Sequence, residues 1–270
     1  MSSVPTPAQA ALIDSIVEVL HADHRVEAAW LAGSLGRGEG DAFSDVDVLV
    51  LVPDGLHAEV TGAYAADLGG MADAVLATPL FGGAVLNVVT ADWERFDLSF
   101  VRREHLDRYD AGRLKTLFNK GGASPPRRPP APPYEPPAAR VEAMVSEFLR
   151  VLGLAAVVLG RQEHVLAVSG IELQRRALIE LMTEANRVPP QDRGGALHLR
   201  RLLSADQLAL LADLPPMRAE PQAFLQANAA IARIYLPLAR RLCEETGAAW
   251  PQALEEATRR RLQTALGFSF

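Results

Sequence analysis

The stretch Gly33-Ser34-Leu35-Gly36-Arg37-Gly38-Glu39-Gly40-Asp41-Ala42-Phe43-Ser44-Asp45-Val46-Asp47 decides how this chain is read. A Gly-Ser turn is followed, eleven residues after the serine, by an Asp-x-Asp that opens the apolar run Val48-Leu49-Val50-Leu51-Val52. Strand residues i and i+2 point to the same face, so Asp45 and Asp47 project together. A small-residue turn after a strand offers backbone N–H groups to an anion, and Ser34 adds a hydroxyl. Gly33 allows close backbone approach, and Arg37 is placed to hold a phosphate oxygen. Together these features predict a site for a triphosphate and its Mg²⁺.

Working outward, Thr6-Pro7-Ala8-Gln9 is a capping box that starts a helix running to about residue 22. Residues 26–32 and 46–52 read as strands, and 56–68 as a helix. Further β-rich runs cover 72–77, 84–90, 96–101 and 114–118. Strands interleaved with helices predict an α/β (α+β) domain. Its sheet should be mixed, with about five strands, because several connections are too short for parallel crossovers.

Composition changes abruptly at residues 121–139, where eight prolines fall. Such a stretch fits neither a sheet nor a helix interior and reads as an extended connector. Beyond residue 140 the periodicity is helical throughout. Val141, Met144, Val145, Phe148, Leu152 and Leu159 form one apolar stripe. Further helices are expected at 163–187, from Ser204 to 214, at 221–246 with a kink at Pro237, and at 251–266. The expected organisation is an α/β domain over 1–122, a Pro-rich linker over 123–139 and an all-α helical bundle over 140–270.

Composition narrows the function classes. The chain has 270 residues, is 49% hydrophobic and carries a formal net charge of −6, which disfavours a broad nucleic-acid surface. One cysteine, Cys243, rules out an internal disulfide framework. The six histidines lack metal-ligand spacing, so no zinc site is expected. Met1-Ser2-Ser3-Val4-Pro5 lacks the basic and apolar parts of a secretion signal, and the most apolar helical run, 152–159, is short for a membrane span. A cytoplasmic protein without membrane contact is the expectation. The three tryptophans, Trp30, Trp93 and Trp250, read as packing residues.

Two divalent ions can clamp the attacking and leaving oxygens of an in-line displacement, and Mg²⁺ takes carboxylate, water and phosphate oxygens. Asp45 and Asp47 supply two carboxylates, and a third is needed from a neighbouring strand. Asp97 fits, lying in the alternating run Arg95-Phe96-Asp97-Leu98-Ser99-Phe100-Val101, where an acid is otherwise costly to bury. Asp92, Glu94 and Glu104 are rivals in less regular segments.

Gly33-Ser34, Arg37-Gly38 and Ser44-Asp45-x-Asp47 closely resemble the G-S-x-x-R-G-…-S-D-x-D pattern of the DNA polymerase β-like nucleotidyltransferase superfamily. The likeness is to its small antibiotic-type members, the aminoglycoside and lincosamide nucleotidyltransferases. The resemblance implies that Ser34 contacts the triphosphate, with Gly33, Arg37 and Ser44 completing the nucleotide-binding set. It implies that Asp45, Asp47 and Asp97 are the catalytic acids and ligate two Mg²⁺ ions. The residues 114–122 are similar to a strand-turn near the end of such domains, which often carries an Asp where this chain has Asn119.

The implied activity is Mg-dependent transfer of NMP, chiefly AMP from ATP, from an NTP to a hydroxyl of a small acceptor, with release of pyrophosphate. Alternatives are AMP transfer to a protein and a catalytically silent, antitoxin-like regulator. The helical part is expected to shape the acceptor pocket, with Glu142, Glu147, Glu172, Glu180 and Glu184 as candidates for gripping a cationic acceptor. Either a monomer or a homodimer is compatible with the sequence.

Overall fold

A computed structural model of the chain describes residues 4–194 and 198–270. The first three residues of the segment read for a secretion signal lie outside these. The chain divides into two compact units, Met1–Pro130 and Ala131–Phe270.

The first unit is built on six strands: β1 (Ala28–Leu31), β2 (Val46–Val52), β3 (Ala74–Leu80), β4 (Val85–Thr90), β5 (Arg95–Arg102) and β6 (Lys115–Asn119). Their order is β3-β4-β5-β2-β1-β6, with β2 and β5 parallel and every other pair antiparallel. The sheet is therefore mixed, with one strand more than expected. All six fall on β-rich runs read from the sequence; the last, β6, is a five-residue edge strand beside β1. At the opposite edge β3 runs through Pro79, beyond where the sequence reading ended it. An edge strand tolerates a proline because one row of its N–H groups needs no ladder partner.

Among the described residues, three α-helices belong to this unit: α1 (Pro7–Ala22), α2 (Gly33–Gly36) and α3 (His57–Ala66). One sheet face, carried by Val46, Val48, Val50, Val52, Phe96 and Leu98, packs against Leu12, Ile16 and Leu20 of α1 and Val60 and Tyr64 of α3. The other face buries Trp30, Leu49, Leu51 and Val101 under Leu106. That face also carries Asp47 and Asp97, by the period-2 alternation of β2 and β5.

The second unit is helical: α4 (Ala138–Gly153), α5 (Ala155–Gly160), α6 (His164–Ala185), α7 (Leu199–Leu202), α8 (Ala205–Ala212), α9 (Pro221–Thr246) and α10 (Gln252–Leu266). Helix α8 starts on the Ser204–Gln207 capping box, and α9 passes through Pro237 to a left-handed Gly247. Its core joins Val141, Phe148 and Leu152 of α4, Leu178 and Leu181 of α6, and Ile231, Tyr235 and Ala239 of α9. Phe148 and Tyr235 stack with ring centroids 3.6 Å apart.

By length and composition 138–160 resembles a membrane span, a longer apolar stretch than the sequence reading measured. Here its stripe of Val141, Val145, Phe148, Leu149 and Leu152 fills a protein core instead. The stretch also carries Arg140, Glu142, Glu147 and Arg150.

The proline-rich stretch is extended and anchored on each side. Pro126 accepts a hydrogen bond from the Ala111 N–H at 3.0 Å, and the Arg128 N–H donates to Asp110 at 3.0 Å. Further on, the Tyr134 hydroxyl donates to Glu184 at 2.9 Å, and Glu135 pairs with Arg187 at 2.8 Å.

Candidate functional site

Strand β1 ends at Leu31, and the N–H of the next residue, Ala32, donates to the Asp47 carbonyl at 2.8 Å. This bond carries the chain directly past the start of β2 before it turns. Gly33 follows with φ +58°, a left-handed conformation that glycine adopts without steric cost. A Cβ at this position would lie 1.7 Å from Asp47 Oδ2. Glycine is required here because the backbone runs against the carboxylate itself.

The short α2 opens here, and no side chain caps its N–H groups. The Ser34 hydroxyl donates to Ser44 Oγ at 3.0 Å. Ser44 is buried; its Oγ donates to Asp41 Oδ1 at 3.1 Å and accepts from the Asp41 N–H at 2.9 Å. The two serines therefore tie the Gly-Ser turn to the loop that delivers the aspartates. Arg37 lies in the next turn with its Nε on Glu39 at 2.9 Å.

Asp47 and Asp97 are direct partners in the parallel β2–β5 register, and Asn87 stands opposite Asp97 in the antiparallel β4–β5 register. A polar row thus crosses three adjacent strands, in which neighbours lie roughly 5 Å apart. Asn87 Nδ2 donates to Asp97 Oδ1 at 2.6 Å.

The electrostatics fit a cluster of like charges. Burial, then the neighbouring charges of Asp45 and Asp97, push the Asp47 carboxyl up to about 6, with Arg37 and Arg95 partly offsetting them. Burial and the Asp45 charge also raise Asp97, against the opposing Asn87 hydrogen bond and Arg95. Asp45 acts on both other acids, so the three carboxylates sense one another. Among the described residues, no trio of acidic, histidine or cysteine side chains is gathered tightly enough to enclose an ion by itself. The donor set is nevertheless the kind Mg²⁺ uses, since that ion keeps several waters and takes one or two carboxylates plus substrate phosphates.

Three supporting residues were not singled out from sequence. Gln9, buried in α1, completes the Thr6 capping box through Oε1. Its Nε2 donates to the carbonyls of Asp41 at 3.0 Å and Ser44 at 2.8 Å. Arg95 Nη2 donates to the Phe43 carbonyl at 2.9 Å, fastening the same loop from the β5 side. Asn87 left a visible signal, being an amide in an apolar strand that disfavours it.

The rival acids stand elsewhere. Asp92 is exposed in the β4–β5 turn, and Glu104 lies 3.7 Å from both Arg102 and His105. Asn119 closes the turn after β6, donating to Ala123 at 2.7 Å and accepting from Gly122 at 2.8 Å. Trp30 is buried, but Trp93 is 77% exposed with φ +63°, contrary to the packing role expected for it. Phe43, whose carbonyl Arg95 holds, is 85% exposed.

The helical acids differ among themselves. Glu142 accepts the Ala249 N–H at 2.7 Å, while Glu147 and Glu172 pair with Arg150 and Arg176. Glu184 is fully buried between Arg140, Arg193 and Tyr134.

A scan of the sequence against known families places residues 13–106 in the family described as "Nucleotidyltransferase domain". This part of the chain is a nucleotidyltransferase domain. The family's chemistry is transfer of a nucleotidyl group, which makes the domain a transferase by class. Its match takes in α1 from Ile13 onward, the Gly-Ser turn, both motif aspartates and β5 with Asp97.

Among solved structures, the chain is similar to an aminoglycoside 6-adenyltransferase from Bacillus subtilis, at 15% identity and a TM-score of 0.45, covering 93% of this chain and 95% of that one. It is also similar to a nucleotidyltransferase-like protein from Exiguobacterium sibiricum 255-15, at 14% identity and a TM-score of 0.35, covering 96% and 88%. No curated protein matches the sequence.

Proposed function

We propose that the nucleotidyltransferase domain transfers NMP, chiefly AMP from ATP, to a hydroxyl of a small acceptor such as an aminoglycoside or lincosamide. The observation that carries this reading is the row Asp47–Asp97–Asn87 with Asp45 beside it, next to a glycine turn that passes against Asp47. The acceptor class rests on the motif's likeness to antibiotic-type members and on the dedicated helical unit.

In this reading the acceptor oxygen attacks the α-phosphorus and the bond from that phosphorus to the bridging oxygen breaks. Pyrophosphate leaves, and the hydroxyl proton passes to solvent. Asp45, Asp47 and Asp97 would hold Mg²⁺, which when bound neutralises charge on the triphosphate and on the leaving group.

The chain's own residues do the positioning. The α2 N–H groups and the Ser34 hydroxyl hold the β- and γ-phosphates, and Arg37 leaves Glu39 for a phosphate oxygen. Ser44, Gln9 and Arg95 keep the 41–44 loop in register. Asn87 fixes the Asp97 carboxylate in one orientation. Such positioning accounts for a large part of the rate in displacements that need little covalent help.

The test is a pyrophosphate-release screen with MgATP and MgGTP against aminoglycosides, lincosamides and simple polyols. At least one acceptor should support release, and Asp45→Asn should reduce it more than a hundredfold while circular dichroism stays unchanged. Label transferred from α-labelled ATP to a polypeptide would redirect the reading to protein modification. No release and no label with any acceptor would overturn it.

A further inference from the structure

The helical unit holds a second feature that nucleotidyl chemistry leaves unused. Helices α4, α5, α6 and α9 border a cavity of about 440 Å³, lined in part by Phe148, Val151, Ala167 and Phe224. That volume lies in the range of small-molecule pockets. Leu154, Leu166 and Leu173 share its wall and are exposed, a grouping of apolar side chains that surfaces of soluble proteins seldom leave without purpose.

Gln174 also lines the cavity and is 2% exposed. Its Nε2 donates to the Phe148 carbonyl at 3.2 Å, whereas its Oε1 is buried with no hydrogen-bond partner. Flipping the amide does not cure this, because it would set oxygen against the Phe148 carbonyl, which only accepts. The lone group is therefore an acceptor, and a buried acceptor without a donor is a standing cost that a complementary ligand removes.

Charge on the wall narrows the ligand further. Glu147 pairs with Arg150, and Arg176 pairs with Glu172, whereas among the described residues Glu180 has no such cation.

We propose that this cavity binds a small, largely apolar molecule, neutral or cationic, whose hydroxyl or amino group donates to Gln174 Oε1. The oxygen is sealed from solvent, so the ligand meets it by a small adjustment of the surrounding side chains. The site lies wholly within the helical unit and does not depend on the nucleotidyl reading.

The experiment uses two probes of similar shape, 2-naphthol with a donor and 2-methoxynaphthalene without one, titrated calorimetrically into the full chain. Wild type should bind 2-naphthol about tenfold more tightly, as expected for one buried neutral hydrogen bond. Gln174→Leu should erase that preference.

Gly170→Leu should abolish binding of both probes. Outside its own helix, a Cβ at Gly170, on the cavity wall, meets only Phe224 Cε2 at 3.9 Å, so a larger side chain starts there without a Cβ clash and adds bulk to that wall. This variant keeps the test decisive should Gln174→Leu fail to fold. Asp45→Asn should bind both probes as wild type does, which separates this site from the nucleotide site. Absence of saturable 2-naphthol binding, equal affinity for the two probes, or binding that survives Gly170→Leu would overturn the proposal.

Discussion

At the scale of single residues, Asp47 carries the sharpest consequence. Its carboxyl is pushed up to about 6 in the fold, against an ordinary value of 3.8. The folded state therefore binds its proton more tightly than the unfolded chain, and without divalent ions stability should fall as pH rises from about 4 to 6. Above that window the charged Asp47 holds a constant penalty of about 2–3 kcal/mol. Asp47→Asn should raise stability at pH 8 by about that amount and flatten the pH dependence in urea unfolding with chelator present. The same change should abolish pyrophosphate release. Two exposed aromatics make a second residue-scale case. The Phe43 carbonyl is held by Arg95, and Trp93 lies two residues before Arg95 in the chain. Ring stacking on such side chains is worth about 1–3 kcal/mol. Phe43→Ala and Trp93→Ala should each raise the KM for nucleotide or acceptor about tenfold in steady-state assays, with unfolding midpoints unchanged.

At the scale of elements, the 41–44 loop is held by its neighbours rather than by its own pairing. Helix α1 grips it through Gln9, and β5 grips it through Arg95. Gln9→Ala should cost about 1–2 kcal/mol through the lost cap and the unpaired carbonyls. It should lower kcat more than that stability loss explains, as measured by kinetics well below the unfolding midpoint. The sequence exposed Gln9 only as a capping residue, because capping is local and its reach to Asp41 and Ser44 is tertiary. Asp47 and the Gly-Ser turn were legible because strand alternation and turn chemistry act over a few residues, whereas Asp45 falls one residue before β2, outside the alternation read for it. Asp97 was legible as an acid in an alternating strand, but its alignment with Asp47 depends on a register that only the folded sheet sets. Trp93 was misread because an aromatic in a β-rich region defaults to packing, whereas here it sits in a tight left-handed turn.

At the scale of the whole molecule, each unit has its own apolar core, and the second also holds a fully buried charge, Glu184. Burial alone would raise the Glu184 carboxyl, but hydrogen bonds from Arg193, Arg140 and Tyr134 outweigh it and hold it below the ordinary range. Glu184→Gln leaves two arginines without their counter-charge and should destabilise the helical unit by about 3 kcal/mol, read as a lowered thermal transition. Helix positions in this unit were legible from caps and prolines, since Ser204, Pro221 and Gly247 act locally. The Glu184 network was not, because its members come from positions 134, 140, 184 and 193 and meet only on folding.

The clasp formed by Gln9 has a practical corollary. Its helix starts at Pro7, so the first described residues, Val4 and Pro5, lie only a few positions ahead of the side chain that holds the loop presenting Asp45. A purification handle fused there through a short spacer pulls on the same clasp. Rate constants for such a fusion should be compared with those of a protein tagged at its opposite end.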